Sequence, residues 1–461
     1  MTKMGIMKVY LTEGFSHKTG LCKATRFMLL FILILSAFMQ SSADDTLKNA
    51  INEDYPYIHK LYTHLHSHPE LSFHEQKTAE RLAKELRETG FKVTESVGGY
   101  GLVALMRNGE GPTVMIRTDM DALPIKEKTD LPYASTKIHE HDNGQTSPVM
   151  HACGHDAHMS VFTGTARMMA RLKAQWSGTL MMIAEPAEER GAGSRLMLED
   201  GLFERFERPN FNLALHVDPG LPTGTVAVLS GYGFANVDSV DIHVFGKGGH
   251  GALPASTKDP VLLAAHIVIA LQSIVSRELS PQDAAVVTVG TIHGGTKRNI
   301  IPEQVDLQLT VRTYAEETRK KVLTSIKRIA ENQARSFGMP EDKLPKVHVK
   351  EKYTPAVYND PVLSQRIHEH FKKQLGREQV KDIQPSMVGE DFARYGRVEP
   401  RIPSLMFRLG ATDPATYAKA KQEGISLPPL HSPYFAPPPE ATITTGIEAM
   451  TEAALLLLKK Q

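Results

Sequence analysis

Between His151 and His158 the chain places three histidines, a cysteine and an aspartate: His151-Ala152-Cys153-Gly154-His155-Asp156-Ala157-His158. Alternate residues of an extended segment share one side. That spacing predicts that Cys153 and His155 face one point, with Gly154 between them allowing a tight backbone approach. Thiolate and imidazole together form a ligand set for zinc or a similar borderline metal. The same pair could instead be a nucleophile and its base, or simply core packing. Asp156 is expected to act as the N-cap of a helix predicted from Ala157 to Lys173.

Other chemistry-bearing residues fall at the ends of apolar, strand-like runs. Thr113–Arg117 leads into Asp119 and Asp121. Thr179–Ala184 leads into Glu185-Pro186-Ala187-Glu188-Glu189, and Phe211–Leu215 delivers His216. Carboxylates at the carboxyl ends of buried strands lie where open α/β sheets bind ligands. Asp119 and Asp121 also suit a turn before Pro124. Adjacent glutamates on an extended end are expected to point to opposite sides, so that one binds metal while the other reaches substrate. A solvated corner is the plainer reading of that pair. A late loop, Leu430-His431-Ser432-Pro433, adds another histidine.

The positioning elements follow from periodicity. A helix is expected over Thr46 to His66, and its spacing spreads His64, His66 and His68 over different faces, which argues against a metal site there. Ser72 with Glu75 reads as a capping box for a helix ending at Gly90. Strands are expected at Phe91–Val97 and Leu102–Met106. Strands alternating with helices predict an α/β fold with a mainly parallel sheet. After Gly231 the order becomes β-α-β-β-α-β: strand Ser239–Phe245, helix Pro260–Glu278, strands Ala285–Ile292 and Val305–Tyr314, helix Glu316–Phe337, strand Lys346–Tyr353. This is a ferredoxin-like domain inserted into the first. The expected division is 44–235 and 353–461 for the catalytic domain and 236–352 for the insert.

A length of 461 residues suits two or three domains. A net charge of +1 gives no reason to expect nucleic acid or an anionic membrane as partner. Lys23 and Arg26, the apolar run Phe27–Met39 and Ser41-Ser42-Ala43 read as a secretory signal over residues 1–43, cut after Ala43. The protein is then expected in the periplasm or outside the cell, without a stable membrane span, because the run is shorter than the ~20 residues a span takes. The competing reading is an uncleaved anchor. Cys22 and Cys153 are the only cysteines. Loss of the signal leaves Cys153 alone among histidines, which a metal-ligand role explains better than a structural one.

Cys153, His155, Glu189, His216 and His431 are five candidate ligands, more than one closed tetrahedral site needs. Two divalent ions completed by water would use them, with Glu188 as general base.

The motifs Arg117-Thr118-Asp119-Met120-Asp121-Ala122-Leu123-Pro124, Met150 to His158, Pro186-Ala187-Glu188-Glu189, Ala214-Leu215-His216 and Leu430-His431-Ser432-Pro433 resemble the M20 metallopeptidase family. They are most similar to its amidohydrolase branch, with the hippurate and auxin–amino-acid conjugate hydrolases. The resemblance runs from about His66 to the C-terminus. It implies a zinc-peptidase-like catalytic domain with an inserted lid often used for homodimerisation. It also implies metal-ligand roles for the five residues above, the base role for Glu188, and for Asp121 the part of steadying the metal site. His250, in Gly246-Lys247-Gly248-Gly249-His250, resembles an oxyanion-stabilising histidine often supplied by the partner subunit. Asn299 and Arg312 resemble residues that hold the substrate's carbonyl and carboxylate. Glu390-Asp391-Phe392 matches a further segment to which no chemistry is assigned. The Ala436–Pro439 run and Arg190 depart from the family pattern. The expected activity is hydrolysis of N-acyl amino acids with two divalent ions (zinc, manganese, cobalt or nickel). Rival expectations are a dipeptidase, an N-acyl-diaminopimelate deacetylase, a thiol hydrolase using Cys153, and a non-catalytic binding protein.

Overall fold

The computed structural model describes residues 47–460; the signal expected over residues 1–43 lies outside them. An eight-stranded mixed sheet carries the strands in the order Lys92–Thr94, Leu102–Asn108, Gly178–Glu185, Thr113–Asp119, Phe211–Pro222, Ser404–Thr412, Val226–Ala227, Val380–Lys381. The four central strands, from Gly178–Glu185 to Ser404–Thr412, are mutually parallel. Both Thr113–Asp119 and Gly178–Glu185 are buried along their whole length, as strands covered on two faces must be. Their register pairs Asp119 with Glu185 and Arg117 with Ala214, so His216 lies level with Asp119. The parallel sheet thereby delivers an aspartate, a glutamate and a histidine to one edge.

Helix His155–Arg171 packs against helix Pro439–Leu457 through two glycines. A Cβ on Gly164 would meet Ile447 at 2.3 Å, and one on Gly446 would meet Val161 at 2.5 Å. These small residues set how closely the helix bearing His155 approaches the C-terminal helix. The insert is a separate antiparallel sheet in the order Ala285–Gly294, Gln304–Thr313, Asn236–Phe245, Lys346–Val349. That is the ferredoxin-like order. Strand Asn236–Phe245 alternates buried and half-buried residues, and its inner face (Val240, Ile242, Val244) packs against Leu263, Ile267, Val322 and Ile326 of the two helices. The helix expected over Pro260–Glu278 is α-helical to Ser273 and closes in a π-turn, Ile274–Glu278. Chain entry and exit pair as a short ribbon, Gly231–Tyr232 with Tyr358–Asn359.

Several local expectations fail, and the strand expected over Lys346–Tyr353 already ends at Val349. Strand Phe91–Val97 shortens to Lys92–Thr94, with Ser96, Gly98 and Gly99 all at positive φ just beyond it. The capping box is also absent. Helix Gln76–Glu88 begins after Glu75, which makes no side-chain cap bond. Glu70 does that work instead, accepting from the Thr78 amide at 2.8 Å. Ser72 and Glu75 turn inward. The C-terminal end matches expectation: Phe91 N donates to Leu86 O and Gly90 N to Arg87 O, with Gly90 at φ +92.

His66, on the helix over 47–67, is buried between two carboxylates, Asp156 at 2.7 Å and Glu127 at 2.9 Å. Burial alone would lower its pKa; the two carboxylates outweigh that and raise it from 6.5 to about 10. Burial works in the opposite sense on Asp156 and Glu127, yet their bonds to His66 hold both below the ordinary range. The histidine's contribution to stability is complete below about 6.5 and is lost as pH rises toward 10. The carboxylates' contribution is present above their usual values and is lost as pH falls through the depressed ones. His66→Ala leaves two buried carboxylates without their cation. Urea unfolding at pH 6 should show a loss of about 3 kcal/mol, with a smaller loss at pH 9, where most of the histidine's contribution is already gone.

Candidate metal centre

Cys153 and His155 converge, but not along an extended segment. Gly154 adopts a left-handed conformation, φ +81, and stands at the N-cap of helix His155–Arg171. A Cβ there would press on Val217 at 2.6 Å. Asp156 therefore is not the N-cap. It sits inside the first turn, bonding the Ala157 amide and His66. Glu188 and Glu189 also differ from expectation. They lie on a 3-10 turn, Glu188–Arg190, entered through Ala187 at φ +51, so both carboxylates face the same cluster.

Among the described residues five groups have ligand atoms that all lie within 4.8 Å of one another, and two of them hold the expected ligands: Cys153, His155 and His216, and Cys153, Glu189 and His431. Cys153 belongs to both. Each imidazole is oriented from behind. His155 Nδ1 donates to the Asp121 carbonyl at 2.8 Å, and His216 Nδ1 to the Val217 carbonyl at 2.8 Å. Both Nε2 lone pairs then face the cluster, the arrangement metal-binding histidines need. His155 Nε2 and Glu189 Oε1 are buried and have no hydrogen-bond partner. These orphaned acceptors and the soft Cys153 sulfur fit a borderline divalent cation. His431 arrives from the late loop at φ +64, anchored by its amide to Ala152 O, with Nε2 3.4 Å from Glu189.

His158, one turn beyond His155, is not available as a ligand. The Val217 amide can only donate, so His158 Nε2 accepts from it at 2.9 Å and Nδ1–H donates to Asp119 at 2.7 Å. His151 is buried with neither nitrogen bonded, its pKa lowered to about 4 by burial. No structural contact explains it.

Asp121 grips the glutamate turn. Its two oxygens accept from the Glu188 amide at 3.2 Å and the Glu189 amide at 3.0 Å, and from Ser72 Oγ at 2.6 Å. Behind it lies a network the sequence did not assign. Arg117 bonds Glu185 and Asp119 at 2.8 Å each, and reaches Glu390 at 3.1 Å and Asp391 at 3.4 Å. Glu390 and Asp391 also group with Glu188. The signal for Asp119 was its place at a strand end; for Glu390-Asp391 it was a motif match alone.

The electrostatics describe a site short of positive charge. Burial, then Glu390, Glu189 and Asp391, push the Glu188 carboxyl well above the usual range. Burial would lower the His155 pKa, yet Asp119, Asp121 and Glu189 raise it to about 10. Burial, then Glu189, Glu188 and Asp119, push the Cys153 thiol up. His216, 3.6 Å from the sulfur, is held well below its ordinary value by burial and His158. A nucleophilic cysteine needs a depressed pKa; burial and the surrounding carboxylates push this one the other way.

Among the described residues, none of the insert's expected residues joins these groups of ligand atoms. His250 and Asn299 share one ribbon: Gly249–His250 pairs with Ile300–Ile301, and Gly251 N donates to Asn299 O at 2.9 Å. Both are exposed, and His250 Nδ1 accepts from the Ala252 amide. Arg312 is half-buried and bonds Thr310 through Nε. Its fork lies against Gly389, next to Glu390, and among the described residues no carboxylate pairs with it.

A model of peptidase family M20/M25/M40 matches residues 115–454. The chain is 34% identical over 399 residues to an N-acetylcysteine deacetylase of Bacillus subtilis, covering 86% of this chain and 95% of that protein. It is 34% identical over 393 residues to an N-acetyldiaminopimelate deacetylase of Limosilactobacillus fermentum, covering 84% and 94%. Among solved structures it resembles the YXEP protein of Bacillus subtilis, described as a dinuclear metal binding peptidase of the M20 family. That match has a TM-score of 0.70 and 30% identity, with 88% of this chain and 99% of the other covered.

Shared use of Cys153 has a stoichiometric consequence. Metal analysis after chelation and reloading should find His216→Ala and His431→Ala each short of about one equivalent, and Cys153→Ala depleted of both. Equal losses in all three variants would contradict two overlapping sites.

Proposed function

The chain belongs to peptidase family M20/M25/M40, a family of metal-dependent hydrolases of linear amides, and from that premise we propose that it cleaves N-acyl amino acids to a carboxylic acid and a free amino acid. The observation that carries this reading is Glu188, a buried carboxylate beside two overlapping ligand sets, its Oε2 3.9 Å from His155 Nε2. The relatives named as deacetylases of N-acetylcysteine and N-acetyldiaminopimelate act on that class of substrate, which favours a small acyl group.

Divalent cations held by Cys153, His155, Glu189, His216 and His431 would supply Lewis acidity and lower the pKa of water at the site. Glu188 takes the proton of the attacking water and returns it to the leaving amine, a task for which an elevated carboxyl pKa is suited. Asp121 keeps the Glu188 and Glu189 amides fixed during that exchange. Arg312 offers its free fork to the substrate's carboxylate through two parallel hydrogen bonds. His250 and Asn299 polarise the scissile carbonyl when their ribbon is brought to a site.

A homodimer through the insert is part of the same reading. Helix Pro260–Ser273 exposes Val261, Leu262 and Ile269, the last 72% accessible, and edge strand Ala285–Gly294 exposes Val286 and Ile292. An open edge beside an apolar helix suits pairing with a second copy. We assign the work of the enzyme to the periplasm or the exterior, following the signal expected over residues 1–43.

Two outcomes test the proposal. Glu188→Gln should lower turnover of N-acetyl amino acids by about 10²–10⁴-fold while binding the wild-type complement of metal; turnover near wild type would remove Glu188 from the chemistry. Combining Ile269→Glu with Val286→Lys should halve the mass measured by light scattering.

A further inference from the structure

We propose that Glu75 is a positioning residue for the proton shuttle: it holds the backbone that aims Glu188 and Glu189. Three successive amides enter that turn, and each donates to a carboxylate. Ala187 N donates to Glu75 Oε1 at 2.7 Å, and the Glu188 and Glu189 amides donate to Asp121. The Glu75 bond is the one made at the residue where the chain reverses. Ala187 is at φ +51, a left-handed conformation that a residue with a Cβ adopts only when its surroundings impose it. The adjoining turn has no room to relax, since a Cβ on Gly193 would stand 1.7 Å from Pro186 O.

Glu75 is itself fixed. It is fully buried and stands directly before helix Gln76–Glu88. That helix is capped by Glu70, which frees Glu75 to point inward. Its second oxygen, Oε2, is buried and makes no hydrogen bond. A buried carboxylate with one oxygen idle is costly for stability alone, where an apolar residue would serve better. Burial, then Asp121, push its pKa up to about 7, so glutamine is a close mimic of its neutral form and retains the accepting oxygen.

This proposal rests on the reading of Glu188 as base and Glu189 as ligand, and its test has a readout independent of both. Glu75→Gln keeps an acceptor for the Ala187 amide; Glu75→Met and Glu75→Ala remove it. Hydrogen exchange of the peptide spanning residues 186–191 should stay within about twofold of wild type in Glu75→Gln and quicken about tenfold or more in the other two. In the metal-loaded enzyme kcat should fall by about the same factor in Glu75→Met and Glu75→Ala, with KM nearly unchanged and Glu75→Gln near wild type. Unchanged exchange in a folded Glu75→Met protein would overturn the proposal. So would a Glu75→Gln enzyme as impaired as Glu75→Met, or failure of both acceptor-free variants to fold, which would assign Glu75 to stability alone. If wild type hydrolyses no N-acyl amino acid, the functional reading fails while the exchange result still decides whether the clamp exists.

Discussion

One guanidinium holds the catalytic end of the sheet together. Arg117 has no exposed side-chain surface, and its nitrogens bond Asp119 on its own strand, Glu185 on the neighbouring strand, and Glu390 and Asp391 from a segment more than 270 residues later. A planar fork can serve several carboxylates in fixed directions; a lysine ammonium could not. Yet one positive charge cannot neutralise four negative ones in a medium that solvates neither. The surplus is visible in the neighbours. Burial, with Asp119 and Glu185 adding to it, leaves Glu390 titrating near 7 despite its contact with Arg117, and Asp391 stands well above its usual range. The site is built with a deficit of cations beside a cysteine and two oriented imidazoles, and that deficit is what metal ions answer.

The same surplus explains why the glutamate turn must be gripped so firmly. Glu188 and Glu189 repel each other and their acidic neighbours, and nothing in the intrinsic preferences of Ala187 favours the conformation that brings both inward. Asp121 and Glu75 hold the three amides, Ser72 holds Asp121, and Gly193 lets the chain pass Pro186. Glu188 is thus aimed by contacts to its backbone from two other segments, the kind of support that a working position held to a fraction of an ångström requires.

Much of this is legible in the sequence itself. Strand ends carrying Asp121, Glu188, Glu189 and His216 announced themselves by apolar runs followed by acids or histidine, and the βαββαβ order of the insert followed from a change of period. What could not be read were residues whose partners lie far away in the chain. Ser72 and Glu75 have the spacing of a local capping box, and only the tertiary fold diverts them to Asp121 and Ala187. Arg117 and Glu390-Asp391 were visible as motif matches, but an ion network spanning three segments has no local signature. Conformations held by neighbours, such as the left-handed Gly154 and Ala187, have no signature in extended-chain alternation; the candidate ligands converge, by a route different from the one expected.

Metal dependence of amide cleavage tests the central claim most directly. Hydrolysis of a panel of N-acyl amino acids would be followed in protein stripped of metal and verified as such, then with zinc, manganese, cobalt or nickel restored singly. The account predicts activity that disappears with the metal and returns on its restoration, saturating as the second equivalent binds. Full activity in verified metal-free protein would contradict it and return Cys153 to consideration as a nucleophile.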